Sequence, residues 1–186
     1  MADGSVAPGD EPTWVFGYGS LIYKVDFPYL DRRNATIEGW ERRFWQGSHA
    51  HRGTPEAPGR VVTLIEAPGA RCRGVAYRVE PAVFGHLDYR EKNGYDRHRL
   101  PVMLDGFGEA VDGLIYVARP DNPAFLGPAS LDELAVHINE AQGPSGSNRE
   151  YLLALARALH GLDSYDPHVH ELAARVDTLL EGSGLP

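Results

Sequence analysis

Apolar residues along this chain fall first in short β-branched and aromatic runs cut by turn residues, and take the wider spacing of helices only in the last third. WVFGYG (14–19), RVVTLIEA (60–67) and RCRGVAYRVE (71–80) are predicted strands, and two more fall around RLPVML (99–104) and AVDGLIYVA (110–118). Between the last two, Asp105-Gly106-Phe107-Gly108 offers the glycines that a tight hairpin connection needs. Ser130 with Glu133 makes a capping-box spacing ahead of LDELAVHINEA, and Ser147 with Glu150 repeats it ahead of YLLALARALH. A third helix is predicted to open at Asp166-Pro167 and to stop near Gly182. An earlier, shorter helix is predicted over 81–93, opened by Pro81 and closed by Gly94 in the left-handed cap. Many strands, one inserted helix and then several helices describe an α+β chain.

On that short helix Phe84, Leu87, Asp88 and Glu91 follow the i, i+3, i+4, i+7 spacing of one face. Glu91 then projects between the two apolar anchors and points inward. Burial disfavours the charged form of a carboxyl group, and a raised pKa suits a group that must take and return a proton. The same spacing also fits a glutamate at the rim of the core, paired with Arg90, Lys92 or Arg97, as most glutamates are exposed. Asp88, on the same face, is the second candidate acid.

The first strand runs into Gly17-Tyr18-Gly19-Ser20, where glycines let consecutive backbone N–H groups converge on an anion. A dinucleotide fingerprint would need glycine at position 22, which is Ile22, and a helix directly behind it, which Pro28 opposes. A carboxylate-sized anion suits this turn better; a plain strand-end turn would look the same. The run Gly143-Pro144-Ser145-Gly146-Ser147-Asn148 leads into a helix N-terminus, and capping and turn chemistry account for it without a ligand.

Composition narrows the partners. The chain has 186 residues, 42% hydrophobic and 24% charged, enough for a single domain over 13–186 with a sizeable core. Residues 1–12, small, polar and rich in Pro and Gly, are expected to form a loose tail. A net charge of −8 without a dense Lys/Arg run makes nucleic acid and membrane surfaces poor partners, and no apolar stretch approaches the ~20 residues that span a bilayer. One cysteine and no secretory leader point to a reducing cytoplasm. Strand alternation puts Cys72 in the core, facing away from Arg71 and Arg73. His49 and His51, or His168 and His170, have no further ligands to complete a metal set, so solvated or structural roles are expected.

Six ordered segments carry a resemblance that composition does not: FGYGSLIY (16–23), FWQGSHAHRGTPEAPGRVVTL (44–64), DYREKNGYDR (88–97), YVARPDNPAFLGP (116–128), GPSGSNREYL (143–152) and DPHV (166–169). Together they resemble the ChaC family of γ-glutamylcyclotransferases over nearly the whole chain after the tail. The resemblance implies a single-domain α+β fold on a mixed, barrel-like sheet with flanking helices, no metal or nucleotide cofactor, and glutathione as a small-molecule substrate. It puts the substrate-binding turn on Tyr18, Gly19, Ser20 and Leu21, the catalytic glutamate on Glu91 and a pocket tyrosine on Tyr116, with Arg52 nearby. Tyr23 departs from the tryptophan expected after Leu-Ile, one large aromatic for another.

Overall fold

Five strands close a barrel in the computed structural model, which describes residues 7, 9–92 and 94–182: β1 (Thr13–Gly17), β2 (Asp31–Ser48), β3 (Gly59–Val79), β4 (Tyr95–Leu104) and β5 (Val111–Ala118). Their order around the barrel is β1-β3-β2-β4-β5. β1 runs antiparallel to β3 (Val15 opposite Tyr77) and parallel to β5 (Val15 opposite Leu114), which makes the barrel mixed. β4 and β5 form the expected hairpin, with Tyr95 opposite Ala118 and Val102 opposite Val111. Gly106 takes φ +83° in the connection, a left-handed conformation that glycine adopts without strain.

Two strands differ from the sequence reading. β2 escapes the pattern because Asp31–Ser48 is crowded with charge; only its inward positions, among them Ala35, Ile37 and Phe44, are apolar and buried. Arg42 also points inward, fully buried, and is neutralised by Asp166 at 3.0 Å. The two runs at 60–67 and 71–80 are one strand of 21 residues, because Pro68 and Gly69 fall where β3 is exposed, a position at which strands tolerate them. Cys72 is buried, as alternation requires, with Arg71 exposed beside it.

The inserted helix is shorter than its periodicity suggests. A 3₁₀ turn over Pro81–Val83 leads into α1 (Phe84–Arg90), and Glu91 is the residue that caps it, its N–H donating to the Leu87 carbonyl. Asn93, the predicted last residue, lies outside the described residues, as do residues 1–6 and 8 of the expected tail. Gly94 takes φ +93°, and a Cβ there would stand 2.4 Å from Asn122 Oδ1, so the chain can turn at this point only on glycine.

The C-terminal helices open where the capping residues place them. α2 (Leu131–Glu140) has both halves of its capping box: Glu133 N–H donates to Ser130 Oγ, and Ser130 N–H to the Glu133 carboxylate. A two-residue hairpin, β6 (Gln142–Gly143) with β7 (Gly146–Ser147), precedes α3 (Asn148–Gly161). Ser147 Oγ accepts from Glu150 N–H, so the run at 143–148 is turn and cap. Asp166 Oδ1 accepts from Val169 N–H at the start of α4 (Pro167–Gly182).

The chain divides into two compact units, residues up to 41 with 64–123, and residues 42–63 with 124 onward, so β2 and β3 each have residues in both. Val15, Ile37, Val75, Tyr77 and Ile115 are fully buried in the first. Leu134, Ile138, Leu152, Leu155, Val169 and Leu172 are fully buried in the second. There Asn148, also fully buried, accepts from Arg60 N–H and donates to the Arg60 carbonyl, each at 2.7 Å, so β3 and α3 are pinned without an unpaired amide. Among the described residues no helix is long and apolar enough to cross a membrane.

The second unit also holds His168, stacked on Phe44, with its Nε2 accepting the Phe44 N–H at 3.1 Å. Burial, with Arg43 alongside, depresses the imidazole from an ordinary 6.5 to about 4. The unfolded chain therefore binds a proton that the folded chain refuses, and stability, full above pH 6.5, is lost as pH falls towards 4, by at most about 3 kcal/mol from this group. His168→Gln keeps an acceptor that does not titrate, and its urea midpoint is expected to change less than the parent's between about pH 7 and pH 5. Parallel pH dependence in the two proteins would show that His168 is not the group responsible.

Candidate active site

The carboxylate of Glu91 sits where α1 ends, with about 20% of its side chain accessible and Arg90 Nε 3.6 Å from Oε1. Burial raises its pKa; Arg90 draws it partly back, and the nearby Asp26 charge pushes it up again. Glu91 thus holds its proton more tightly than an exposed glutamate, though it reaches this position as a cap rather than from a helical face. That geometry suits a group that takes a proton and gives it back near neutral pH.

Arg90 carries the connection from Glu91 to the glycine turn. Its Nη2 donates to Ser20 Oγ at 2.8 Å and its Nη1 to Asp26 Oδ1 at 2.9 Å. Asp26 also faces His86 Nε2 at 3.3 Å. Burial works against the Asp26 charge, yet Arg90 and His86 outweigh it and hold this carboxyl below its ordinary value.

The turn itself is anchored by its outer residues and open at its middle. Tyr18 and Leu21 are buried, and the Tyr18 hydroxyl donates to the Tyr116 carbonyl at 2.5 Å. Tyr77 donates its hydroxyl to the Leu21 carbonyl at 2.7 Å. Ile22 N–H bonds back to the Gly19 carbonyl, and Tyr23 and Lys24 N–H to that of Ser20, closing a 3₁₀ turn over Ser20–Ile22 in place of a long helix. The first amides of such a turn have no partner within it. Gly17 makes the turn possible: a Cβ there would lie 2.6 Å from Leu21 Cβ.

Tyr116 completes the group. Its hydroxyl donates to Asp88 Oδ1 at 2.8 Å, and Asp88 is 3.4 Å from Arg97 Nε. Burial first, then the accepting Asp88 and more weakly the Glu91 charge, push the phenol's pKa far up, so it stays a neutral donor. The structure therefore brings Tyr18, Gly19, Ser20, Leu21, Glu91, Asp88 and Tyr116 into one neighbourhood of the first unit. Asp26, Arg90, Arg97 and Tyr77 join them; Arg90 and Arg97 fall within the recognisable segment DYREKNGYDR, where the sequence suggests them only as surface partners of Glu91, whereas Asp26 and Tyr77 carry no functional signal.

Arg52 belongs to the second unit and is engaged there. Its Nη1 lies 3.3 Å from both the Ser147 carbonyl and Glu150 Oε2, and its guanidinium is over the Tyr151 ring. His49 and His51 lie in the bend after β2, not in a strand, and His51 Nδ1 is 3.0 Å from Ser145 Oγ. Among the described residues no three His, Cys, Asp or Glu side chains gather as metal ligands would.

Known proteins resemble this chain in sequence and in fold. The model of a family described as ChaC-like protein matches residues 13–179. Gamma-glutamylcyclotransferase 2-3 of Arabidopsis thaliana is 44% identical over 181 residues, covering 91% of each chain. Glutathione-specific gamma-glutamylcyclotransferase 1 of Homo sapiens is 41% identical over 176 residues, covering 90% of this chain and 79% of its own. The crystal structure of a glutathione-specific γ-glutamyl cyclotransferase from yeast superposes with a TM-score of 0.82 at 33% identity, over 90% of this chain and 96% of that one.

Because the turn is built on a contact that only glycine permits, Gly17→Ala is expected to lose about 1–3 kcal/mol in urea unfolding as Leu21 is displaced. A variant as stable as the parent would show that Leu21 has room to move.

Proposed function

From a chain that belongs to the ChaC-like protein family, we propose a γ-glutamylcyclotransferase that splits glutathione into 5-oxoproline and Cys-Gly, with Glu91 as general acid and base. The observation that supports the assignment is a carboxylate largely removed from water, joined through one arginine to the glycine turn at Ser20. The curated relatives from vertebrates and yeasts are named as glutathione-specific enzymes of this type, which supports the choice of substrate.

In this reading the substrate's α-carboxylate sits on the amides of Gly19, Ser20 and Leu21, a site that Tyr18 and Leu21 hold in shape from behind. The α-ammonium then faces Glu91, which takes one of its protons. The freed nitrogen attacks the γ-carbonyl of the same molecule, forming the lactam C–N bond and a tetrahedral carbon. As that carbon collapses the bond to the cysteine nitrogen breaks, and Glu91 returns the proton to the departing amine. The α-nitrogen gives up two protons and the leaving nitrogen gains two, so Glu91 passes them in turn and ends as it began. Nucleophile and electrophile share one molecule, so the site need only fold the substrate into attack geometry, where effective molarities reach about 10⁵ M or more. Tyr116, held neutral and already donating to Asp88, offers its remaining lone pairs to the ammonium. Arg52 is engaged by Glu150 and the Ser147 carbonyl beside α3. The charge of −8 and the single cysteine support a small-molecule enzyme working in a reducing cytoplasm.

Incubating the purified protein with glutathione should yield 5-oxoproline and Cys-Gly by mass spectrometry, with slower turnover of γ-Glu-Ala and γ-glutamyl-lysine. Glu91→Gln keeps the shape but cannot take a proton, and should lower kcat by about 10²–10⁴ while KM changes little. The acid limb of the parent's rate profile should lie above the ordinary carboxyl value of 4.5. Parental turnover in Glu91→Gln would remove Glu91 from the chemistry.

A further inference from the structure

One side chain in the first unit makes three contacts that neither the turn nor the carboxylate makes for itself. Arg90 is four-fifths buried and points one guanidinium nitrogen at Ser20 Oγ (2.8 Å), one at Asp26 Oδ1 (2.9 Å) and one at Glu91 Oε1 (3.6 Å). The contact to Glu91 is longer than the other two, so it is a charge at close range rather than a formed hydrogen bond. Asp26, nearly half exposed, is shared between Arg90 and His86.

We propose that Arg90 and Asp26 act as a positioning pair: the guanidinium holds the Ser20 turn in register with the Glu91 carboxylate, and Asp26 fixes the direction in which that guanidinium points. This rests on Glu91 being the base. A bidentate Arg90–Glu91 pair would lock the carboxylate in its ionised form and leave it a poor base. With Asp26 and Ser20 occupying the terminal nitrogens, Nε is the guanidinium nitrogen that faces Glu91, so the charge is only partly compensated and the carboxylate stays basic. The pair also gives one distance scale to the site, because the carboxylate-binding amides and the proton acceptor move together.

The other charged groups around Glu91 are His86 and Asp88 on α1, Lys92 beside it with its ammonium over the Tyr89 ring, Arg97 on β4 and the neutral Tyr116 on β5. Of all these, Arg90 and Asp26 act on Glu91 most strongly, and with opposite sign. Two substitutions should therefore move the same limb of the rate profile in opposite directions, which a merely structural role would not do.

The test is the pH dependence of kcat/KM for glutathione, whose acid limb reports the base of the free enzyme. Arg90→Gln removes a cation next to Glu91 and should move the limb up by about 1 pH unit and raise KM several-fold. Asp26→Asn removes an anion and should move it down by about half a unit. Arg90→Lys restores the charge without the fork, so the limb should return towards the parent while KM stays high. Circular dichroism melts check each variant; Asp26 is exposed enough that its asparagine variant decides the matter even if Arg90→Gln does not fold. Unmoved limbs in Asp26→Asn and Arg90→Gln, with Glu91→Gln inactive, would overturn the positioning pair and leave the base in place. An active Glu91→Gln would instead overturn the reading beneath it.

Discussion

A carboxylate drawn out of water must either find a cation or keep its proton, and Glu91 is held between these outcomes. Its side chain is largely covered at the end of α1, and the guanidinium next to it, that of Arg90, is shared with Asp26 and Ser20. Desolvation is the larger effect and raises its proton affinity, while Arg90 limits how far. Full pairing would make an inert ion pair, and full isolation would make a permanent acid. An intermediate state suits the proton-carrying role proposed for Glu91.

The rest of the first unit keeps that state in place. Tyr18 donates across to the β5 backbone and Tyr77 to the Leu21 carbonyl, so the glycine turn is fastened to the barrel from two sides by buried phenols. Tyr77 is itself held neutral, chiefly by burial, and remains a donor. Closure of the strands leaves the barrel no open edge along which this corner would slip. The second unit solves its own burial problem with paired polar groups: Arg42 with Asp166, and the Arg60 guanidinium with the Phe44 and Gly127 carbonyls. These pairings are why its charged strand segments can turn inward at all.

Much of the fold was legible where local chemistry is strong. The capping residues Ser130, Ser147 and Asp166 start their helices as read, Gly94 takes the left-handed turn, and the Asp105–Gly108 hairpin closes where its glycines are. Legibility failed where tertiary pairing overrides pattern. β2 hid behind its arginines because the partner that neutralises Arg42 lies 124 residues away. Pro68-Gly69 resembled a strand break because exposure along β3 cannot be seen in sequence. Periodicity allowed either a covered Glu91 or one at the rim of the core and put it on a helical face, whereas the helix stops one residue earlier and the side chain is largely covered. The links from Arg90 to Asp26 and Ser20 span 64 and 70 residues and have no local signature. Arg52, within a recognisable segment, meets Glu150 at a sequence separation of 98 that no local pattern signals.

The most direct measurement is the titration of the Glu91 side-chain carboxyl by ¹³C NMR, identified as the resonance lost in Glu91→Gln. Its midpoint is expected to lie clearly above the 4.5 of a free glutamate and above those of the surface glutamates. A midpoint at or below 4.5 would mean that Arg90 outweighs desolvation, and the carboxylate would then be a fixed charge and not a proton carrier.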